Sequence, residues 1–376
     1  VRDRSRLLVD LRLLGENVSS LKDLYKQQNI LFMVKADAYG HGILPIVRYA
    51  YQTLGIKEFG CATLAEALHL REHIPDLEFE VYVFSDVQIE LKDSSEFYVN
   101  RRIIPVISNE QDLDFFLEQS EFSHAPLCLK FNTGMNRLGL DDGDVSKVIE
   151  RLKKSPRRTI YHLMTHLACA SQSMKTIKKN KQQCERFDIL IAEFQSAGFN
   201  IERTSISNSG ALEQGVGANF THIRPGLMLY GPSSLIPQLA DLRQWRGHNI
   251  SKLETYILHV FKVKRGTPVG YGARVCPRDG VIAIVALGYG DGISTRFAGA
   301  HFFHKGHKGE VTGRINMDMT QVLFPEESFK DLQVGDKFVM WDHTAESVEN
   351  LSLETGALSY ELFCQLTHRV PRIHVM

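Results

Sequence analysis

Between about residue 10 and residue 235 the chain keeps repeating one small unit, a short apolar run followed by an amphipathic stretch. Continuous apolar runs suit strands buried on both faces, which are mostly parallel strands joined by covering helices. Eight such runs occur, at residues 30–35, 58–61, 80–84, 103–107, 127–131, 159–164, 204–207 and 228–230. Between them, residues 64–73, 110–118, 145–154 and 179–197 place apolar side chains at i, i+3 and i+4, the stripe of a helix packed on one side. Eight strand–helix units close most economically into a (β/α)8 barrel of TIM type. The expected fold class is therefore α/β, with an N-terminal barrel over residues 10–240.

Beyond residue 240 the texture changes to strand-like alternation and Gly-rich turns with few helical patterns, as at residues 256–263, 281–287 and 337–341. A second, mainly β domain is expected over residues 241–376, and residues 1–9 are candidates to join it. At 376 residues, two cores are the ordinary outcome. Residues 238–249 are the expected junction, and neither an internal repeat nor a low-complexity tract interrupts the pattern.

Lysine and arginine total 44 and aspartate and glutamate total 44, so there is no basic excess to attract nucleic acid or an anionic membrane. A small-molecule ligand fits this balance better. Six cysteines are scattered without C-x-x-C pairs, the usage of a reduced compartment. No apolar run has signal-peptide or transmembrane length, so a soluble cytoplasmic chain is expected. Its first residue is Val1 instead of methionine, which leaves room for a removed leader.

The chemistry concentrates where apolar runs end. Residues 34–42, Val34-Lys35-Ala36-Asp37-Ala38-Tyr39-Gly40-His41-Gly42, place Lys35 at the carboxyl end of the first barrel strand, the face where such barrels hold their active sites. A desolvated amine there loses proton affinity and can bond covalently to an aldehyde. An isolated lysine at a strand end is ordinarily a snorkelling surface residue, so its neighbours decide the reading. His162 and His166, four apart, could suggest a metal pair, but their surroundings are strand-like and no H-E-x-x-H is present; no metal is expected.

The neighbours carry a resemblance over nearly the whole chain. Lys35 and its flanks resemble the cofactor-lysine motif of the alanine racemase family. In matching order follow Lys130-Phe131-Asn132-Thr133-Gly134-Met135-Asn136-Arg137, Met164-Thr165-His166, Ser207-Asn208-Ser209 and Arg224-Pro225-Gly226-Leu227. Gly270-Tyr271-Gly272-Ala273, Gly313-Arg314-Ile315-Asn316-Met317-Asp318, Tyr360-Glu361 and Arg369-Val370-Pro371-Arg372 complete the series.

The resemblance implies pyridoxal 5'-phosphate as cofactor, alanine as substrate, and Lys35 and Tyr271 as the two bases of an L/D interconversion. It implies that Tyr39, Ser209 and Tyr360, with the amides of Gly226 and Leu227, hold the phosphate. His166 would stack on the cofactor ring and Arg224 would face its nitrogen. Arginine can only donate, so that nitrogen would stay unprotonated and the ring would remain a modest electron sink. Arg137 and the Met317 amide would take the substrate carboxylate. Lys130, at a position often carbamylated in the family, and Asp318 would support them. Tyr271 and Met317 would serve the site of a second copy, so a homodimer with shared sites follows from the resemblance, with D-alanine feeding peptidoglycan or the reverse flux serving catabolism.

Asn132 stands where an aspartate is common, Val275 where an aromatic is frequent, and Ile293-Ser294-Thr295 where an aromatic and proline are common. These departures touch the entrance, and they keep open a racemase of broader range acting on serine, lysine or arginine. A decarboxylase on a related barrel would place an acid where Arg224 stands. A non-catalytic pyridoxal-phosphate carrier would lack the second domain.

Overall fold

The computed structural model describes residues 3–91 and 93–376. Val1 and Arg2, part of the segment expected to join the second domain, lie outside the described residues.

Eight parallel strands lie side by side in the order His222–Ile223, Asn29–Met33, Glu58–Thr63, Glu80–Asp86, Ile103–Ile107, Cys128–Asn132, Thr159–Met164 and Asn200–Ser205. A two-residue strand, Leu140–Asp141, pairs beside Cys128–Asn132. The first and last strands of this order meet through side chains. Thr204 N–H donates to Thr221 Oγ1 at 2.7 Å, and Thr221 N–H donates to Thr204 Oγ1 at 3.4 Å. The result is a nearly closed barrel.

Strand side chains alternate between faces, so residues two apart share one. Leu31, Tyr82, Ile104, Val106, Cys128 and Met164 meet in one buried cluster inside the barrel. Phe84, Lys130 and His166 each lie two residues further on from a member of that cluster, which carries them to the carboxyl end. Toward the opposite end, Arg203 Nη1 lies 2.6 Å from Glu80 Oε2 and 3.4 Å from Glu58 Oε2, a charged plug.

One expected strand is corrected. Residues 228–230 belong to a short helix, Leu227–Tyr230, and the eighth barrel strand is His222–Ile223. A fully buried apolar run of four residues carries no period, so strand and buried helix look alike in sequence. The covering helices Leu64–His73, Glu110–Glu118 and Val145–Lys154 begin and end where expected. Leu64–His73 starts on a capping box, in which Thr63 Oγ1 accepts the Glu66 N–H and the Glu66 carboxylate accepts the Thr63 N–H.

A second sheet runs in the order His301–His304, His307–Val311, Thr320–Phe324, Gly280–Val285, Ser251–Val263, Ser5–Asp10 and Arg372–Val375, with Lys337–Trp341 pairing beside Ser251–Val263, and Pro268–Val269 pairs with Arg274–Val275 in a separate two-stranded hairpin. Ser251–Val263 is thirteen residues long and irregular between Ile257 and His259. Its first half pairs with Ser5–Asp10 and Lys337–Trp341, its second with Gly280–Val285. Two helices, Ala345–Thr355 and Ser359–Cys364, also belong to this part of the chain. The second of them reaches back to the barrel mouth through Tyr360.

Candidate active site

The first barrel strand ends at Met33, earlier than the apolar run suggested, because Lys35 opens a left-handed turn. Ala36, Asp37, Ala38 and Tyr39 hold φ between 52° and 54°. Such backbone costs an L-residue roughly 1–2 kcal/mol, so the surroundings must impose it. Ala36 N–H donates to Glu66 Oε1 at 2.7 Å, Asp37 Oδ1 accepts the Ile43 N–H at 2.7 Å, and Arg372 Nε donates to the Gly40 carbonyl at 2.9 Å. Gly40 continues at φ 77°, where a Cβ would lie 2.3 Å from the Phe363 carbonyl oxygen. Strain held this firmly is characteristic of functional sites. The Lys35 amine is lowered in proton affinity by burial, and the Arg137 charge adds to that.

Lys35 opens onto a cavity of about 820 Å³ including its mouth, within the range of small-molecule sites. Lys35, Tyr39, Lys130, Arg137, His166, Ser209, Arg224, Gly226, Leu227 and Tyr360 all line it. Every site residue expected from the barrel is thus brought together, along with Tyr360 from the second region. Four of these are lysines or arginines, and no carboxylate lines the cavity among the described residues. Such a lining favours a ligand with more than one negative charge.

Burial and the mutual repulsion of these cations tune each group. Lys130 is pushed down to about 8 by burial, then by Arg224, Arg137 and Lys35. Arg224, pushed down to about 10 by burial, is held by Ser205 Oγ and by the carbonyls of Thr165 and Ile206. Its Nη2 also lies 3.4 Å from His166 Nδ1. A guanidinium only donates, so His166 Nδ1 accepts and the ring proton sits on Nε2. Burial, followed by the Arg224 charge, keeps His166 far below its ordinary value and hence neutral near pH 7.

On the opposite wall, Ser209 Oγ accepts the N–H groups of Gly226 at 3.0 Å and Met228 at 3.3 Å. Both lone pairs are engaged, so the hydroxyl hydrogen remains to donate into the cavity. A Cβ on Gly226 would sit 2.4 Å from the Tyr39 hydroxyl oxygen, so only glycine leaves that hydroxyl its place. The Tyr39 and Tyr360 rings stand 5.9 Å apart between centroids. Hydroxyl and amide donors on one wall and a single cationic donor, Arg224, on another form a donor set that fits pyridoxal phosphate.

The loop bearing Arg137 is ordered by Asn132, whose Oδ1 accepts the N–H groups of Gly134 at 3.1 Å and Asn136 at 2.8 Å. An amide at this position therefore does the loop-capping work open to a carboxylate, and it adds a donor, Nδ2 to Asn136 Oδ1 at 3.1 Å.

Tyr271 and Met317 do not line this cavity. Tyr271 tips a hairpin between Pro268–Val269 and Arg274–Val275 and is 72 % exposed; Met317 is 53 % exposed. Asp318 sits beside Met317, where its Oδ1 accepts Arg369 Nη2 at 2.8 Å. Arg369 also pairs with the buried Asp291 at 3.1 Å, which ties this loop to the residue 288–292 turn.

Two family models cover almost all of the chain: the alanine racemase N-terminal domain matches residues 9–234, and the C-terminal domain matches residues 250–374. The chain belongs to the alanine racemase family. An alanine racemase of Hahella chejuensis is 30 % identical to it over 99 % of this chain and 98 % of its own length. A catabolic alanine racemase of Schizosaccharomyces pombe is 28 % identical, covering 98 % of each. The solved alanine racemase of Acinetobacter baumannii superimposes with a TM-score of 0.84 at 26 % identity, covering all of both chains. Alanine racemases interconvert L- and D-alanine, and that is the activity of this chain; pyridoxal phosphate is the cofactor of the family.

Sequence reading missed several groups that shape the alanine racemase site. Phe84, Ser85 and Asn208 line the cavity, and Ser234 Oγ meets the Tyr360 hydroxyl at 3.1 Å. Asn208 had a local signal, since its Oδ1 caps the Ser209–Glu213 helix through the Ala211 N–H at 3.3 Å. Ser234 had none, because its partner lies 126 residues away.

Proposed function

We propose that this enzyme works by a two-base mechanism in which Lys35 of one copy and Tyr271 of a second copy face opposite sides of the substrate Cα. The single observation that carries this reading is a contrast. Lys35 stands in a tuned cavity that Tyr271 does not line, while Tyr271 is displayed on the surface of the same chain. A head-to-tail or two-fold homodimer that brings Tyr271 and Met317 over a neighbour's cavity supplies the missing half. The barrel unit, residues 10–240, holds cofactor, and the sheet unit, residues 241–376 with 3–9, donates the second base.

Pyridoxal phosphate, when bound, supplies an aldehyde for the substrate amine and a ring that withdraws electron density from Cα. The rest is done by the chain. Tyr39, Ser209, Tyr360 and the Leu227 amide hold the phosphate, while Gly226 gives its N–H to Ser209 Oγ and leaves room for the Tyr39 hydroxyl. His166 packs on the ring, and Arg224 presents only donors to its nitrogen, which limits electron withdrawal and suppresses side reactions. Arg137 and the Met317 amide clamp the substrate carboxylate, with Asp318 anchoring the Met317 loop through Arg369. Lys130, whose low proton affinity favours the neutral amine that takes up carbon dioxide, orients Arg137 once it carries the resulting negative charge.

Lys35 Nζ removes the α-proton of D-alanine and Tyr271 Oη that of L-alanine; each returns a proton on its own face. His166 Nε2–H and the Arg224 charge behind it favour the phenolate needed for the second step. The setting is cytoplasmic, with D-alanine as a peptidoglycan precursor. Deuterium exchange at Cα tests the assignment, because Tyr271→Phe removes one acceptor only. Racemisation should fall about a hundredfold to ten-thousandfold in both directions, with exchange into D-alanine surviving and exchange into L-alanine lost. Equal loss from both enantiomers would refute the division of labour.

A further inference from the structure

Below the phosphate-side wall lies a carboxylate that none of these roles uses. Glu213 is wholly buried and ends the single helical turn, Ser209–Glu213, that Ser209 begins. Its Oε1 accepts the Ser234 N–H at 2.7 Å and its Oε2 accepts the Ser233 hydroxyl. Ser234 Oγ then meets the Tyr360 hydroxyl at 3.1 Å. One helical turn therefore bears Ser209 at its start and, at its end, the group that fixes the segment touching Tyr360.

Merely tying this segment down does not call for Glu213. Glu349 already holds it, accepting the Ser233 N–H at 2.8 Å and pairing with Arg243 at 3.2 Å. What Glu213 adds is orientation, since its two oxygens grip consecutive residues and so set the direction of the Ser234 side chain. A buried carboxylate is costly unless each oxygen has a donor, and here both do. Burial nevertheless pushes Glu213 up to about 7, against the two bonds and the Arg243 charge, with Glu349 adding to the rise.

Proton counting gives the chain a direction. A phosphate dianion only accepts, so the Tyr360 hydroxyl must turn its hydrogen toward the phosphate, and the Ser234 hydroxyl must then donate to Tyr360. We propose that Glu213, acting through Ser233 and Ser234, is a positioning residue for Tyr360, presetting that hydroxyl to donate to the phosphate monoester of the cofactor. This rests on the reading of Tyr360 as a phosphate ligand.

The test compares two ligands, pyridoxal phosphate and pyridoxal, which lacks the phosphate. Cofactor-free enzyme is titrated with each, following binding by absorbance and tryptophan fluorescence. Ser234→Ala should weaken pyridoxal phosphate about fivefold, the worth of one hydrogen bond, and leave pyridoxal unchanged. Glu213→Ala should do the same, and Ser234→Ala, at a partly exposed site, serves if Glu213→Ala fails to fold. Tyr360→Phe should lower the preference for the phosphate form by itself, and adding Ser234→Ala to it should change nothing further. If Tyr360→Phe leaves the preference intact, the phosphate reading of Tyr360 falls and the inference with it. If Tyr360→Phe lowers it while Ser234→Ala does not, or Ser234→Ala weakens both ligands alike, the positioning role is overturned and the phosphate reading stands.

Discussion

The barrel mouth and the hairpin of the second region present opposite kinds of reactive residue. Around the barrel mouth, Lys35, Lys130, His166 and Arg224 are buried or half-buried, and burial lowers the proton affinity of each. Around Tyr271 there is a two-residue ladder on each side, three left-handed residues in the turn, and a phenol in open solvent. A group that must act as a base at neutral pH needs an environment to tune it. The barrel residues have theirs within one chain, whereas the proposed shared site is what gives Tyr271 one.

Removing the tuned amine should have the largest effect. Lys35→Ala should abolish covalent attachment of the cofactor and lower racemisation by at least about ten-thousandfold, since it removes both anchor and base. Borohydride trapping with peptide mapping of the native enzyme should find the cofactor on Lys35 alone. Label on another lysine would mean that the strained turn at residues 36–39 serves something else.

A smaller effect sharpens the claim that the barrel side is electrostatically tuned. Lys130 binds its proton at about 8 when folded and at an ordinary 10.5 when unfolded. Below about 8 both states are protonated and the penalty of burying the charge is complete. Between the two values the unfolded chain holds one more proton, so stability rises with pH and then levels off. The gain is at most about 3 kcal/mol. Denaturant titrations in bicarbonate-free buffer at pH 7.5 and 10 should show a rise in the native enzyme that Lys130→Met lacks. Parallel profiles would mean that the lysine keeps its hydration.

Much of this architecture was legible in the amino acids, and the exceptions have physical reasons. Buried parallel strands announce themselves as apolar runs, which is why residues 103–107 and 159–164 match the strands Ile103–Ile107 and Thr159–Met164 to the residue. The run at 228–230 failed because total burial erases period, and the true closing strand, His222–Ile223, is too short to show one. The left-handed turn after Lys35 was hidden because none of residues 36–39 is glycine; bonds from Glu66 and Arg372, distant in sequence, impose it. Arg137, Arg224 and Ser209 were found through motifs, yet their actual partners, Ser205 for Arg224 and the Met228 amide for Ser209, come from tertiary placement. Glu213 carried no motif, and only its burial beside Ser233 and Ser234 marks it.

The central claim is that a complete site needs Lys35 from one chain and Tyr271 from another. It is tested by mixing Lys35→Ala enzyme with Tyr271→Phe enzyme under conditions that let subunits exchange, and assaying racemisation as heterodimers form. Each parent alone should be nearly inactive. Random pairing makes half of the dimers mixed, and each mixed dimer holds one intact site of two, so activity should climb to about a quarter of the native value. Activity that stays at the parental level, in a sample where the heterodimer is demonstrated by mass, would contradict the shared site and place both bases within a single chain.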